Sequence, residues 1–395
     1  MEDTESTGGS APPTSHSRVR ISSPADVLAI VPHLLGFHPA NSLVVIGAGR
    51  PRDRIELAFR YDLPDPPDVD KAAHIAAHSL AVLDRRKLTT VIGIGYGPGR
   101  LVTPVADLLA AGLREAGLRP RELMRVESGR YWSYICHNPA CCPAEGVRFD
   151  LSAHPAAAAM IVAGMAAYPD RAALARTLAP VSGPAADSMN RATRCARQRA
   201  GNLVGETAGP WPGDRSRLLV QEGRRAVIEA IQTYRGGGRI IDDDTMAWLS
   251  VVLAQLPVRD DAWARMDPEH QEAHLRLWTD VVRRACSQFV PAPASLLAFT
   301  AWQAGDGALA NIALDRAVAS DPAYSMALLL RDIMDAGVPP SAARMPMTPD
   351  QVAASYAQAD ADPAAERPAP AGSGRGRISG RGAGSGRRTR KRPSQ

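Results

Sequence analysis

Lysine is almost missing from this 395-residue chain. Lys71, Lys87 and Lys391 are the whole set, and arginine supplies the other 43 of its 46 basic side chains. With its abundant Ala, Gly and Pro, that bias points to a GC-rich coding sequence more than to a function. Aromatic residues are scarce at 5%, although 45% apolar and 22% charged residues are ordinary globular values. The length suffices for two domains with real cores. No window approaches the roughly 18 apolar residues that a bilayer span requires. The longest apolar stretch, AAAAMIVAGMAAY (156–168), is short and Ala-rich, and predicts a buried helix. Cysteines number five, and the opening MEDTESTGGSAPPTSHS has no apolar core for a signal peptide. An odd count in a leaderless chain argues against a disulfide framework and fits a reducing compartment, so the expected location is the cytoplasm.

Acidic residues are absent from the last part of the chain. Nine of the 46 basic residues and none of the 41 acidic ones follow Glu366, so the net charge of +5 divides into a body of −4 and a strongly basic tail. The tail, GRGRISGRGAGSGRRTRKR, is of low complexity. It offers Arg375, Arg377, Arg381, Arg387, Arg388, Arg390, Lys391 and Arg392 to a polyanion such as nucleic acid. No aromatic residue is interleaved for base stacking, so its contacts would be to phosphates and blind to sequence. A solubilising tail is the alternative.

Residues 1–18 and 346–395 have the polar, Pro/Gly/Ala-rich composition of disordered ends. Residues 19–150 read as an α/β domain and residues 151–345 as an all-α domain. Ser23, Pro24 and Asp26 announce a helix start: a hydroxyl cap, a proline in the first turn and an acid near the positive helix end. Strands are expected at 42–47, 55–61, 89–97 and 122–127, with helices between the second and third and from Thr103 to about Ala116. Ser128-Gly129 then turns the chain into RYWSYIC, which predicts a hairpin and a mixed sheet. The second half carries helical spacing throughout. Ala298, Ala301, Gly305, Ala310, Leu314, Ala317 and Pro322 fit the second half of a tetratricopeptide unit, where small residues let two antiparallel helices approach closely.

Five stretches could carry chemistry. The segment 130–146, RYWSYICHNPACCPAEG, contains Cys136, Cys141 and Cys142 beside His137 and Glu145. A structural zinc ion needs four ligands, and no second cysteine pair exists. Adjacent Cys141 and Cys142 should also project apart. The expectation is therefore a packed proline turn with small buried thiols, purifying without stoichiometric zinc, with a metal site or reactive thiol as the alternative. GIGYGPGR (93–100) places Gly95, Gly97 and Gly99 after a strand and before a helix, where an α/β protein can bind phosphate. Its spacing matches neither the dinucleotide fingerprint nor a Walker loop, and a tight turn explains it as well. His74/His78 and His270/His274 have the i, i+4 spacing of helical metal ligands, but they read as solvated helix faces. Asp242, Asp243 and Asp244 suit a helix N-terminus without any ion.

PADVLAIVPHLLGFHPANSLVVIG, YWSYICHNPACCPAEG and LLAFTAWQAGDGALANIALDRAVASDPAYSMALLL together resemble the actinobacterial domain-of-unknown-function family 4192, over most of residues 20–340. The resemblance implies a shared fold and brings no catalytic residue, substrate or cofactor with it. The expected role is that of a non-enzymatic interaction or scaffold protein, with protein partners for its helical half, weak nucleic-acid binding by its tail, and no membrane contact. The rival is an enzyme or phosphate-ligand-binding protein that uses the glycine loop and the cysteines together.

Overall fold

A computed structural model describes residues 21–49, 54–205, 213–343 and 347–361. The first helix, α1 (Pro24–Leu35), begins as its sequence dictates. Ser23 Oγ accepts from the Asp26 N–H at 3.2 Å, and the Asp26 carboxylate accepts from the Ser22 and Ser23 N–H groups at 2.8 Å each. Those bonds, Ser22's first, hold the Asp26 carboxyl down at about 2. Among the described residues six strands follow: β1 (Ser42–Gly49), β2 (Arg54–Asp62), β3 (Thr90–Tyr96), β4 (Glu122–Glu127), β5 (Arg130–Ser133) and β6 (Val147–Arg148). Helix α2 (Val69–Arg85) joins β2 to β3, and α3 (Gly99–Glu115) joins β3 to β4. The sheet order is β2-β1-β3-β4-β5-β6, with β3–β4 its parallel pair. That pair is the one spanned by a helical crossover, as parallel pairing requires.

Strand β1 is buried on both faces, so its side chains sort by parity. Leu43 and Val45 join the core under α2 and α3, while Val44 and Ile46 join the core shared with α1. This second core runs on through Leu174 and Leu178 into the helical half. The expected division near residue 150 is thus a change of architecture across one continuous apolar core.

The helical half comprises α4 (Pro155–Val162), α5 (Arg171–Arg176), α6 (Pro184–Gly205), α7 (Gly213–Arg235), α8 (Asp243–Val252), α9 (Leu256–Ala264), α10 (Gln271–Arg284), α11 (Pro291–Gln303), α12 (Gly307–Ser320), α13 (Ser325–Asp335) and α14 (Pro349–Ala361). Among the described residues no helix is long and apolar enough to cross a membrane. Several local expectations need correction. The apolar run at 156–168 makes only the short α4, with Ile161 and Val162 exposed, because eight residues can bury one stripe against α1 and no more. Helix α3 starts at Gly99, four residues before Thr103, and carries Pro104 in its second turn. Helix α14 lies beyond residue 345, where disorder was expected. It is anchored by buried Val352 and by Tyr356, whose hydroxyl donates to Asp260 of α9 at 2.5 Å.

Helices α11 and α12 form the expected hairpin. Gly305, at φ +83°, makes the turn that Cβ-bearing residues resist, and Asp306 caps α12 through the Leu309 N–H at 2.8 Å. Ala310 and Ala317 are fully buried on α12, which packs on α11. Ala310→Leu is therefore expected to overpack this interface and cost about 1–3 kcal/mol in urea unfolding, against almost nothing for Ala319→Leu on the exposed side of the same helix. Equal midpoints for the two variants would contradict the packing.

Candidate functional site

The cysteine segment leaves the sheet at Ser133, where β5 ends three residues before Cys136. Ser133 Oγ accepts from the Cys136 N–H at 3.1 Å and donates to Glu122 Oε1 at 2.7 Å, which ties the departing chain to the start of β4. Asn138 then organises the turn. Its carbonyl accepts from the Cys141 and Cys142 N–H groups at 3.2 and 2.8 Å, and its side-chain oxygen accepts from the Ala140 N–H at 3.0 Å. The loop returns through Trp132, which donates to the Ala144 carbonyl at 3.0 Å, and Arg130, which donates to the Gly146 carbonyl at 2.8 Å.

This turn overrules the expectation that Cys141 and Cys142 point apart. Consecutive residues in one helix-like turn diverge by about 100°, as 3.6 residues per turn implies, and not by the 180° of a strand. Both thiols can therefore face Cys136. The three sulfurs lie within 4.8 Å of one another, with Cys136 and Cys141 at 3.2 Å. The expectation of buried apolar cysteines also fails: Cys141 is exposed, and Cys136 and Cys142 are half-buried. All three are free thiols.

Their electrostatics are unequal. The Asn138 backbone N–H and the two neighbouring thiols lower Cys136 below the usual thiol range. Sharing its proton with Cys136 raises Cys141, and the same interaction, with burial second, pushes Cys142 up to about 12. Of the three, Cys136 therefore holds its proton most weakly and Cys142 most strongly.

The glycine run is mostly sheet. Gly95 lies inside β3, and a Cβ there would sit 2.0 Å from Val102 Cγ1 of α3. Gly93 is equally crowded, 2.5 Å from Leu123 Cδ1. Gly95 lets α3 approach the sheet and is closed to a phosphate, while Gly93 makes room for the Leu123 side chain of β4. Gly97, at φ +132°, makes the turn against Asn41, and Gly99 opens α3 where the Arg125 guanidinium would meet its Cβ at 2.6 Å. Arg125 in turn stacks on Trp132, its guanidinium carbon 3.9 Å from the ring centre. Glycine turn and thiols do not converge. The Gly97 N–H bonds the Val126 carbonyl at the end of β4, whereas Cys136 is tied through Ser133 to Glu122 at its beginning.

Among the described residues, neither histidine pair belongs to a close group of three His, Cys, Asp or Glu ligands. His74 and His78 stack on α2. His274 departs from the expected solvated face: it is 1% exposed, neither ring nitrogen has a hydrogen bond among the described residues, and burial pushes its pKa down. Asp242 caps α8 through the Thr245 N–H at 2.7 Å, and Asp243 pairs with Arg284, as a helix start requires without an ion. The basic positions from Arg375 to Arg392 lie outside the described residues.

A feature missed in the sequence lies on α6. Arg191, Arg194 and Arg197 recur every third residue and line a shallow groove of about 560 Å³, completed by Cys286, Ser287 and Gln288. All three are exposed, and neither Arg194 nor Arg197 has an ion-pair or hydrogen-bond partner among the described residues. Successive members rise by about 4.5 Å along the helix axis. The threefold spacing in NRATRCARQR was legible, but only the tertiary structure shows that, among the described residues, no acid pairs with Arg194 or Arg197.

A family model described as "Domain of unknown function (DUF4192)" matches residues 24–341. No curated protein and no solved structure matches the chain.

Proposed function

The chain belongs to the domain-of-unknown-function family DUF4192, and from that premise we propose a non-enzymatic interaction protein that binds nucleic acid through its phosphates. The row Arg191, Arg194 and Arg197 carries the reading. Three guanidiniums on one edge of a groove, two of them without a partner among the described residues, form a site for a linear polyanion. Asp187 at the head of the groove is the one acid lining it. The basic tail adds charge of the same sign, and a cytoplasmic location suits both. The helical half also offers a face for a protein partner, with Leu328 and Leu329 exposed on α13.

Arg191→Ala/Arg194→Ala/Arg197→Ala tests the groove in a chain that keeps its tail. Its affinity for two unrelated duplexes, read by fluorescence anisotropy, should fall equally. The slope of log affinity against log salt should become shallower by about 2.7, since each phosphate contact contributes about 0.9. Unchanged affinity and slope would refute the groove; unequal losses would refute sequence-blind binding.

A further inference from the structure

We propose that Cys136, Cys141 and Cys142 form a three-sulfur site for a zinc ion whose fourth position is open to solvent. This inference is independent of the nucleic-acid reading, because the thiols sit at the sheet edge and the arginine row on α6. Three observations carry it. First, tetrahedral zinc with Zn–S bonds of 2.3 Å places its sulfurs about 3.8 Å apart. The three Sγ atoms are already within 4.8 Å of one another, the nearest pair at 3.2 Å, so an ion needs only small adjustments of side-chain torsions. Second, the backbone that aims them is built for the purpose. Asn138 holds Cys141 and Cys142 on one turn, and Ser133 fixes Cys136 opposite, so the ligands come from two separately anchored pieces of chain. Third, no other His, Cys, Asp or Glu among the described residues offers a ligand atom to the cluster. A three-ligand site with an exposed member, Cys141, has the form of zinc sites that keep a position for water or a substrate, not of closed structural ones.

The choice of a divalent ion follows from charge. Three thiolates on zinc leave a net charge of −1, while a monovalent soft ion such as Cu(I) would leave −2. Glu122 is only one hydroxyl removed from Cys136. The contacts of these sulfurs run to one another and to the Asn138 carbonyl, none of which offsets negative charge. Loading is balanced as the loss of up to three thiol protons, with one water taking the fourth place. The absence of a fourth protein ligand, which argued against zinc from sequence, here defines the open position.

The full chain, reduced and stripped with a chelator, should take up one zinc ion per molecule by elemental analysis after desalting. Uptake should release protons to a weak buffer. Cobalt(II) in place of zinc should give an intense near-ultraviolet sulfur-to-metal charge-transfer band. Alkylation mapped by mass spectrometry should show Cys136, Cys141 and Cys142 protected by zinc while Cys195, exposed on α6, reacts as before. This readout needs no variant. Cys136→Ser, Cys141→Ser and Cys142→Ser should each lower zinc affinity at least tenfold, and Cys195→Ser should not. Less than about 0.1 zinc per reduced chain would overturn the proposal. So would full zinc affinity in any one of the three variants, unprotected thiols, or stoichiometric Cu(I) with no zinc.

Discussion

Asp261→Ala is expected to lower the free energy of urea unfolding by about 3–5 kcal/mol, the loss that follows when a buried charge loses its partner. The Asp261 carboxylate, on α9, is 1% exposed. It accepts from Arg265 Nε at 2.6 Å and Nη2 at 3.0 Å, a bidentate pair one helical turn apart, and lies 3.6 Å from Arg224 Nε on α7. Arg224 and Arg265 are themselves only 22% and 28% exposed. Alanine would remove the acceptor and leave two guanidiniums partly shielded from water, one of them on a neighbouring helix. The same substitution at Asp84 should cost well under 1 kcal/mol. Its pair with Lys87 is nearly as short at 2.9 Å, but both side chains are almost 80% exposed and screened by solvent. Burial, not distance, decides the difference. The double variant Asp261→Ala/Arg265→Ala should recover part of the loss, because it removes one stranded charge. A loss below 1 kcal/mol for Asp261→Ala, or one equal to that of Asp84→Ala, would show that the carboxylate is not the electrostatic centre of this layer.

What could be read from sequence was the chemistry that closes within a few residues. The Ser23–Asp26 cap and the Asp242 cap use bonds between positions three apart, so their residue types suffice. The Ser128-Gly129 hairpin was legible for the same reason: both residues adopt positive φ, at 51° and 72°, in a two-residue connection between paired strands. Contacts between distant segments were not legible. Helix α14 looks featureless because α9, nearly a hundred residues away, supplies the partners of Tyr356. Gly93 and Gly95 fell within the strand expected at 89–97 and also opened the glycine-rich stretch offered as a phosphate site, although period two is the spacing of one face of a strand. Placing them in β3 explains Gly95 by the close approach of α3 and Gly93 by the Leu123 side chain of β4. The thiol cluster failed as a prediction at one step, the assumption of strand-like divergence at Cys141-Cys142. The residue that decides it is Asn138, whose carbonyl and side chain both bend the chain back.

Ending the chain after Glu366 is expected to remove most of its affinity for duplex DNA. Nine positive charges lie beyond that point with no acid among them, and the remaining 366 residues carry −4. A basic segment gains affinity by releasing counterions, one for each phosphate it neutralises. If about four tail charges engage at once, they contribute a slope of about −3.6 in log affinity against log salt. Between 50 and 200 mM salt that term alone weakens binding by roughly 100-fold. The arginine row on α6 acts against the net charge of the body, because local charge within a Debye length of about 10 Å governs a bound phosphate more than distant acids do. Truncation and the triple arginine substitution should therefore each make the slope shallower, and combining them should bring it close to zero. With no aromatic residue in the tail to stack on bases, two unrelated duplexes should behave alike. A truncated chain that binds as tightly as the full one, salt-insensitive affinity, or strong preference between the duplexes would each defeat this account.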